Sequence, residues 1–197
     1  MQRDADKWNG RYRDGGMIPG EAAEVLRENL HLLPPRGYAL DLACGLGANA
    51  LLLARLGLET CAWDIATSAI DKLRLLAAGL PLQAEVRDVT REPPEPHRFD
   101  VIVVSRFLDR ALAPSLAESL RPNGLLFYQT FTRTCVDDSG PRNSEYRLAD
   151  GELLQLFPGL TLRVYREEGT IGDISRGLRN QAMLVAQRRD GIVDVSL

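Results

Sequence analysis

The sequence predicts an α/β fold, a doubly wound and mostly parallel sheet with helices on both of its faces. Three observations lead there. Short apolar runs of strand length alternate with stretches whose apolar residues recur at helical spacing. The first such pair is joined by a glycine turn, Gly45-Leu-Gly47. Three acids, Asp41, Asp64 and Asp88, fall at or beside the ends of three successive runs. The clearest run, Phe99-Asp-Val-Ile-Val-Val-Ser105, is apolar without alternation, as strands covered on both faces are.

The chain of 197 residues is long enough for one domain with a sizeable core, so residues 1–197 are expected to form a single domain. A hydrophobic fraction of 45% with 26% charged residues is ordinary for a globular protein. A net charge of -3 argues against a general nucleic-acid binder. The first residues lack the apolar core of a signal peptide, and no apolar run is long enough to span a membrane. Three cysteines, Cys44, Cys61 and Cys135, form no C-x-x-C pair. The expectation is a cytoplasmic protein, monomer or homodimer, acting on a small molecule, with no nucleic-acid or membrane partner and no metal site.

Taken in order, residues 1–20 read as an arm. Trp8 to Gly20 is rich in glycine and carries Trp8 and Tyr12 without apolar periodicity. It suits either a pinned surface arm or a lid that closes an aromatic wall over a ligand. Glu21 to Leu33 reads as an amphipathic helix ended by Pro34-Pro35. Ala39 to Ala43 is a buried strand, and the helix from Ala48 follows the glycine turn. That turn presents backbone N–H groups at a helix start, where negative charge is favoured. Asp41 adds a carboxylate, so a ligand carrying both an anionic group and an ammonium is accommodated. The turn is expected at the surface, so substitution of Gly47 is expected to spare the fold.

Glu59 to Asp64 is the second strand. Asp64 stands where a carboxylate can accept two ribose hydroxyls, with Thr67 or Ser68 free to cap the helix Ala66–Ala78. Pro81 to Asp88 is the third strand. Asp88 and the Val89 N–H are placed to read an adenine edge, or Asp88 simply starts a turn. After the proline-rich crossover and the strand Phe99–Ser105, Arg106 to Leu120 reads as a helix, Leu120 to Gly124 as a turn and Leu125 to Phe131 as a strand. Residues 132–149 form a polar loop of functional length on the substrate side. A short helix over Asp150–Phe157 and strands at Leu160–Glu167 and Gln181–Gln187 follow, and Asp190–Leu197 is expected to fray.

Gly45-x-Gly47-x-x-Ala50 also fits the dinucleotide fingerprint, which keeps an NAD(P)-dependent oxidoreductase open as an alternative. The set of motifs resembles class I S-adenosylmethionine-dependent methyltransferases instead. Asp41-x-Ala-Cys-Gly-x-Gly47 resembles that family's first motif. Asp64 stands at its ribose-binding acid, Asp88 at its adenine-side acid, and Phe99-Asp-Val-Ile102 at its fourth-strand motif. Leu120-Arg-Pro-Asn-Gly-Leu-Leu126 matches the turn before its fifth strand, with Asn123 where a second glycine is frequent. Trp8-x-x-Arg-Tyr12 resembles the tellurite-resistance and thiopurine methyltransferase branch.

The resemblance implies a Rossmann-like seven-stranded sheet of order 3-2-1-4-5-7-6 with strand 7 antiparallel. It implies S-adenosyl-L-methionine as cofactor, held by Trp8, Asp41, Ala43, Cys44, Gly45, Gly47, Asn49, Asp64, Ile65, Asp88, Val89 and Ser105. Tyr12, Arg106, Arg133 and Arg147, together with Arg142, Tyr128 and Tyr146, are expected near the open face and suit a small anionic acceptor. His31 and His97 are not placed as bases. That favours a soft or pre-ionised nucleophile of sulfur, selenium or tellurium. A cofactor-binding protein without catalysis is the remaining alternative.

Overall fold

The computed structural model describes residues 2–14, 16 and 18–190. Seven strands form one sheet: β1 (Tyr38–Leu42), β2 (Glu59–Asp64), β3 (Leu82–Val86), β4 (Phe99–Ser105), β5 (Leu120–Phe131), β6 (Thr161–Arg166) and β7 (Gln181–Gln187). Their order is β3-β2-β1-β4-β5-β7-β6. The first five pair in parallel, whereas β7 runs antiparallel to both β5 and β6. The expected order and the reversed seventh strand are both present.

Side-chain parity along the strands builds two cores. Leu40, Leu42, Ile102, Val104, Leu126, Tyr128 and Leu184 face one side with Leu116 and Leu153, which lie on α5 (Ala113–Ser119) and α6 (Glu152–Leu156). Ala39, Val101, Val103, Phe127 and Val185 face the other. There they meet Val25 and Leu26 of α2 (Glu24–Arg27) and Leu53 of α3 (Ala48–Arg55). A smaller cluster of Ala50, Leu51, Ala62 and Leu73 seats α4 (Thr67–Leu76) beside α3. Each fully buried leucine contributes about 1.5–3 kcal/mol of transfer free energy, so the interleaved faces hold the sheet's register.

Four local readings are corrected. The segment around Trp8 is helical: α1 spans Gln2–Asp14. Docking overrides its glycine content, since the Asn9 side chain accepts from the Ser68 N–H (2.9 Å) and the Ser68 hydroxyl donates to the Asn9 carbonyl (3.1 Å). The helix expected over Glu21–Leu33 is only α2, followed by a 3₁₀ turn at Leu30–Leu32. The Asn29 amide donates to the Val25 carbonyl (2.9 Å), which a continued helix would reserve for the Asn29 N–H. The helix expected from Arg106 begins only at Ala113, because Asp109 caps a preceding turn through the Ala111 N–H (2.9 Å). Leu120 to Gly124 is not a separate turn but the start of β5, where the pairing with β4 slips between Phe99 and Val101. Residues 191–197, expected to fray, lie outside the described residues.

This topology carries the tips of β1, β2, β4 and β5 to one edge. Because β7 runs the other way, its first residue, Gln181, arrives at that same edge opposite Phe131.

Candidate functional site

The turn after β1 is built from left-handed residues: Ala43 at φ 55, Gly45 at φ 53 and Gly47 at φ 77. Asp41 organises it from beneath. Its carboxylate is fully buried and accepts from the Ala50 N–H (3.0 Å) and the Asn49 amide (3.2 Å). Burial pushes the carboxyl up to about 7, against the pull of those two hydrogen bonds. The role expected for Asp41 on a ligand ammonium is replaced by one inside the protein: it pins the first turn of α3.

Gly47 is buried, and a Cβ there would stand 2.4 Å from Leu73 Cδ1. The expectation of a surface turn is corrected, because Gly47 lets α3 close against α4. Gly45 is buried too, but beneath α1 rather than α4: a Cβ there would meet the Tyr12 hydroxyl at 2.5 Å. Tyr12 thus reaches from α1 across the turn, with its ring stacked on Trp8 at 6.0 Å between centroids. Desolvation and the neighbouring Asp64 push its phenol up to about 12. Lys72 on α4 holds the Tyr12 carbonyl.

Asp64 is only 7% exposed at the tip of β2. Its two oxygens accept from the Gly45 N–H (2.8 Å) and the Ala66 N–H (2.8 Å). Burial raises the carboxyl and those bonds oppose the rise. Neither Thr67 nor Ser68 caps α4 as expected; the Asn9 side chain does. Ile65 follows Asp64, half-buried. The Asp88 side chain turns onto Thr90, accepting from its N–H (3.1 Å) and hydroxyl (2.7 Å), while Val89 packs into the core. Cys44 lies within the turn, and burial raises its thiol.

Asn49 links the turn to what lies beyond β4. Its amide donates to the Ser105 hydroxyl (3.1 Å) as well as to Asp41, and its oxygen accepts from the Ala23 N–H (2.8 Å). Gln129, from β5, accepts from the Val25 N–H (2.7 Å). These two side chains fasten residues 20–25 opposite the strand tips and leave a cavity of about 230 Å³. Ser105, Arg106, Gln129 and Gln181 line one wall, and residues from Gly20 to Arg27 line the other.

Of the expected substrate-side residues, Arg106 lines this cavity and Tyr12 covers the turn beside it. Arg133 is exposed away from the lining. Arg147 is 8% exposed, and its guanidinium is committed to the carbonyls of Thr132 (2.9 Å), Pro141 (2.7 Å) and Ser139 (2.5 Å). It closes the 132–149 loop on itself. Tyr128 is buried with its hydroxyl on the Phe107 carbonyl (3.0 Å), so it is not on the open face. No residue of 132–149 lines the cavity. Gln129 and Gln181 went unnoticed in the sequence. For Gln129 the available signal was an amide side chain amid the apolar run from Leu125 to Phe131; Gln181 stands at the first position of β7.

A profile described as "Methyltransferase domain" matches residues 15–168. A ubiquinone biosynthesis O-methyltransferase of Xanthomonas campestris pv. campestris (strain B100) is 30% identical over 110 residues, 51% of this chain and 45% of the relative. The enzyme of the same name from Bartonella tribocorum is 32% identical over 119 residues, 56% of this chain and 48% of the relative. The chain therefore spans about half the length of these curated relatives. Among solved structures, TehB from Haemophilus influenzae superposes with TM-score 0.70 at 19% identity, over 94% of this chain and 67% of that one. A structure described as "Conversion of a Disulfide Bond into a Thioacetal Group during Echinomycin Biosynthesis" superposes with TM-score 0.70 at 23% identity, over 94% and 92%. With more than half of its residues matched, the chain belongs to the methyltransferase domain family, and its sheet has the strand order of that fold.

Proposed function

We propose that the chain transfers the methyl group of S-adenosylmethionine to a small anionic or soft nucleophile at the edge where the strand tips meet. The observation that supports this most is the convergence of a left-handed glycine turn, a barely exposed carboxylate and a polar cavity at one sheet edge. The residues fit the cofactor. Gly45 keeps the backbone bare where only the Tyr12 side chain covers it, and Asp64 presents a carboxylate with unused lone pairs at the tip of β2. In this reading Asp64 would hold the ribose diol, the segment at Asp88 and Val89 would face the adenine, and the turn Ala43 to Gly45 would hold the methionine part. Ser105 and Asn49 position the methyl-bearing end, and α1 with Trp8 and Tyr12 is the lid.

When bound, the cofactor supplies a sulfonium methyl: the acceptor's lone pair forms the new bond while the old C–S pair stays with the departing thioether. The protein's part is alignment and exclusion of water. Among the described residues no histidine lines the cavity, and its two carboxylates, Glu21 and Glu24, are each paired with an arginine. His31 and His97 are exposed elsewhere, and Asp41 is sealed under the turn. That supports an acceptor already ionised or soft, such as a thiolate or a reduced selenium or tellurium species. The test is release of S-adenosylhomocysteine with a panel of thiols, selenite and tellurite. Turnover with at least one supports the reading. Tight cofactor binding with no turnover on any nucleophile class favours the non-catalytic alternative.

A further inference from the structure

The cavity beyond β4 is walled mostly by polar and charged residues. At about 230 Å³ it is small, below the roughly 300–1,000 Å³ common for ligand sites. Among the described residues its only apolar side chains are those of Ala22 and Ala23. The negative charges around it are answered within the protein: Glu21 pairs with Arg27 at 3.2 Å and Glu24 with Arg166 at 3.6 Å. Arg106 differs. Among the described residues its side chain joins no ion pair and no hydrogen bond. Its backbone is held at φ 55, with its N–H on the Gln129 carbonyl at 2.8 Å. A non-glycine residue keeps such a conformation where its surroundings over-determine it, and such residues cluster at ligand sites.

A second group faces the same space. Gln129 donates to the Gln181 side-chain oxygen at 3.0 Å, which leaves the Gln181 NH₂ as a donor with no partner among the described residues. A guanidinium and an amide donor on one wall match the two oxygens of a carboxylate. A hydrocarbon ring or tail in the same space would strip water from these groups without replacing their hydrogen bonds.

We propose that this cavity seats the methyl acceptor and that the acceptor is a small hydrophilic carboxylate, held by Arg106 and Gln181, rather than a molecule with an apolar tail. The inference rests on the methyl-transfer reading above. The nucleophile of such an acceptor points from the cavity toward Ser105 and the glycine turn.

The test uses the full chain saturated with S-adenosylmethionine and four small thiols: mercaptoacetate, 2-mercaptoethanol, 2-mercaptoethylamine and 1-butanethiol. In the reaction the thiol proton leaves to solvent, the sulfur lone pair takes the methyl carbon, and S-adenosylhomocysteine departs with the old bonding pair. Rates are compared per thiolate, and binding of mercaptoacetate to the S-adenosylhomocysteine complex is measured by calorimetry. The expected result is that mercaptoacetate leads in kcat/KM by about tenfold or more. Arg106→Gln and Gln181→Glu each erode that lead through KM, by about 10- to 100-fold for the arginine, while S-adenosylmethionine affinity stays unchanged. Equal rates across the panel overturn the proposal, as does a lead for the ammonium or butyl thiol. So does an Arg106→Gln variant that loses the cofactor instead of the acceptor, or no mercaptoacetate binding at millimolar concentration. Failure of the wild-type chain to bind S-adenosylmethionine is visible before any thiol is added and sinks the methyl-transfer reading itself.

Discussion

Gly45 and Gly47 sit two residues apart in one turn, yet replacing each with alanine is expected to harm different things. At Gly47, φ 77 puts an L-residue in the left-handed region, at about 1–2 kcal/mol. The new methyl would also lie 2.4 and 2.6 Å from the two Leu73 Cδ atoms. Leu73 is fully buried against Ala50, Leu51 and Ala62 and cannot swing aside. Overpacking of this kind costs about 1–3 kcal/mol. Together Gly47→Ala should lose about 2–5 kcal/mol, a large part of a domain's usual 5–15. At Gly45 the backbone cost is similar, but the clash is with the far end of the Tyr12 side chain at 2.5 Å rather than with the fully buried Leu73. Gly45→Ala should lose only about 1–2 kcal/mol of stability while cofactor affinity collapses, because the methyl fills the cradle. Urea unfolding monitored by circular dichroism gives the stabilities, with constant slope as the check on two-state behaviour. Calorimetric titration gives the affinities. A Gly47→Ala protein as stable as wild type would refute the packing argument. A Gly45→Ala protein that binds S-adenosylmethionine normally would refute the cradle.

Two further outcomes are expected. The Asp41 carboxyl stands near 7 in the folded chain against an ordinary 3.8, so the native state holds a proton that the unfolded chain has released. Its contribution to stability is present at low pH and is lost as pH rises through about 7; Asp41→Asn should flatten the fall in unfolding free energy between about pH 4 and 7, and an unchanged slope would count against it. If α1 is a lid, deleting residues 1–16 should lower turnover and leave the unliganded melting temperature nearly unchanged. Adding cofactor to the intact chain should then shift Trp8 fluorescence, since Trp8 stacks on the Tyr12 that covers Gly45; a large drop in melting temperature with no ligand-dependent signal would make α1 a packing element.

The central sheet was legible because its strands obey one rule. Phe99–Ser105 and Ala39–Ala43 are buried on both faces, so they read as apolar runs. The glycine turn was legible for a different reason, since its left-handed backbone at Gly45 and Gly47 favours glycine. What failed to show was decided by tertiary contacts. α1 is helical because Asn9 and Tyr12 dock on α4, which no window of local sequence reveals. The helix after Glu21 stops early because the Asn29 side chain takes a backbone carbonyl. Arg147 looked like a substrate ligand on charge alone, but three carbonyls of its own loop surround it. Gln181 reached the site only because β7 is reversed, and nothing in its neighbours' pattern announces that direction.

The most direct measurement is a calorimetric titration of the wild-type chain and Asp64→Ala with S-adenosylmethionine, with NADH as the competing ligand. Asp64 is nearly sealed at the tip of β2 and holds the Gly45 N–H at 2.8 Å. The charge-assisted hydrogen bonds proposed between it and the ribose would be worth about 1.5–3 kcal/mol. The expected result is saturable one-site binding of S-adenosylmethionine to wild type, weakened by about 10- to 150-fold in a folded Asp64→Ala protein, with no heat from NADH. Wild-type binding of NADH in place of S-adenosylmethionine, or equal S-adenosylmethionine affinity in the two proteins, would contradict the account.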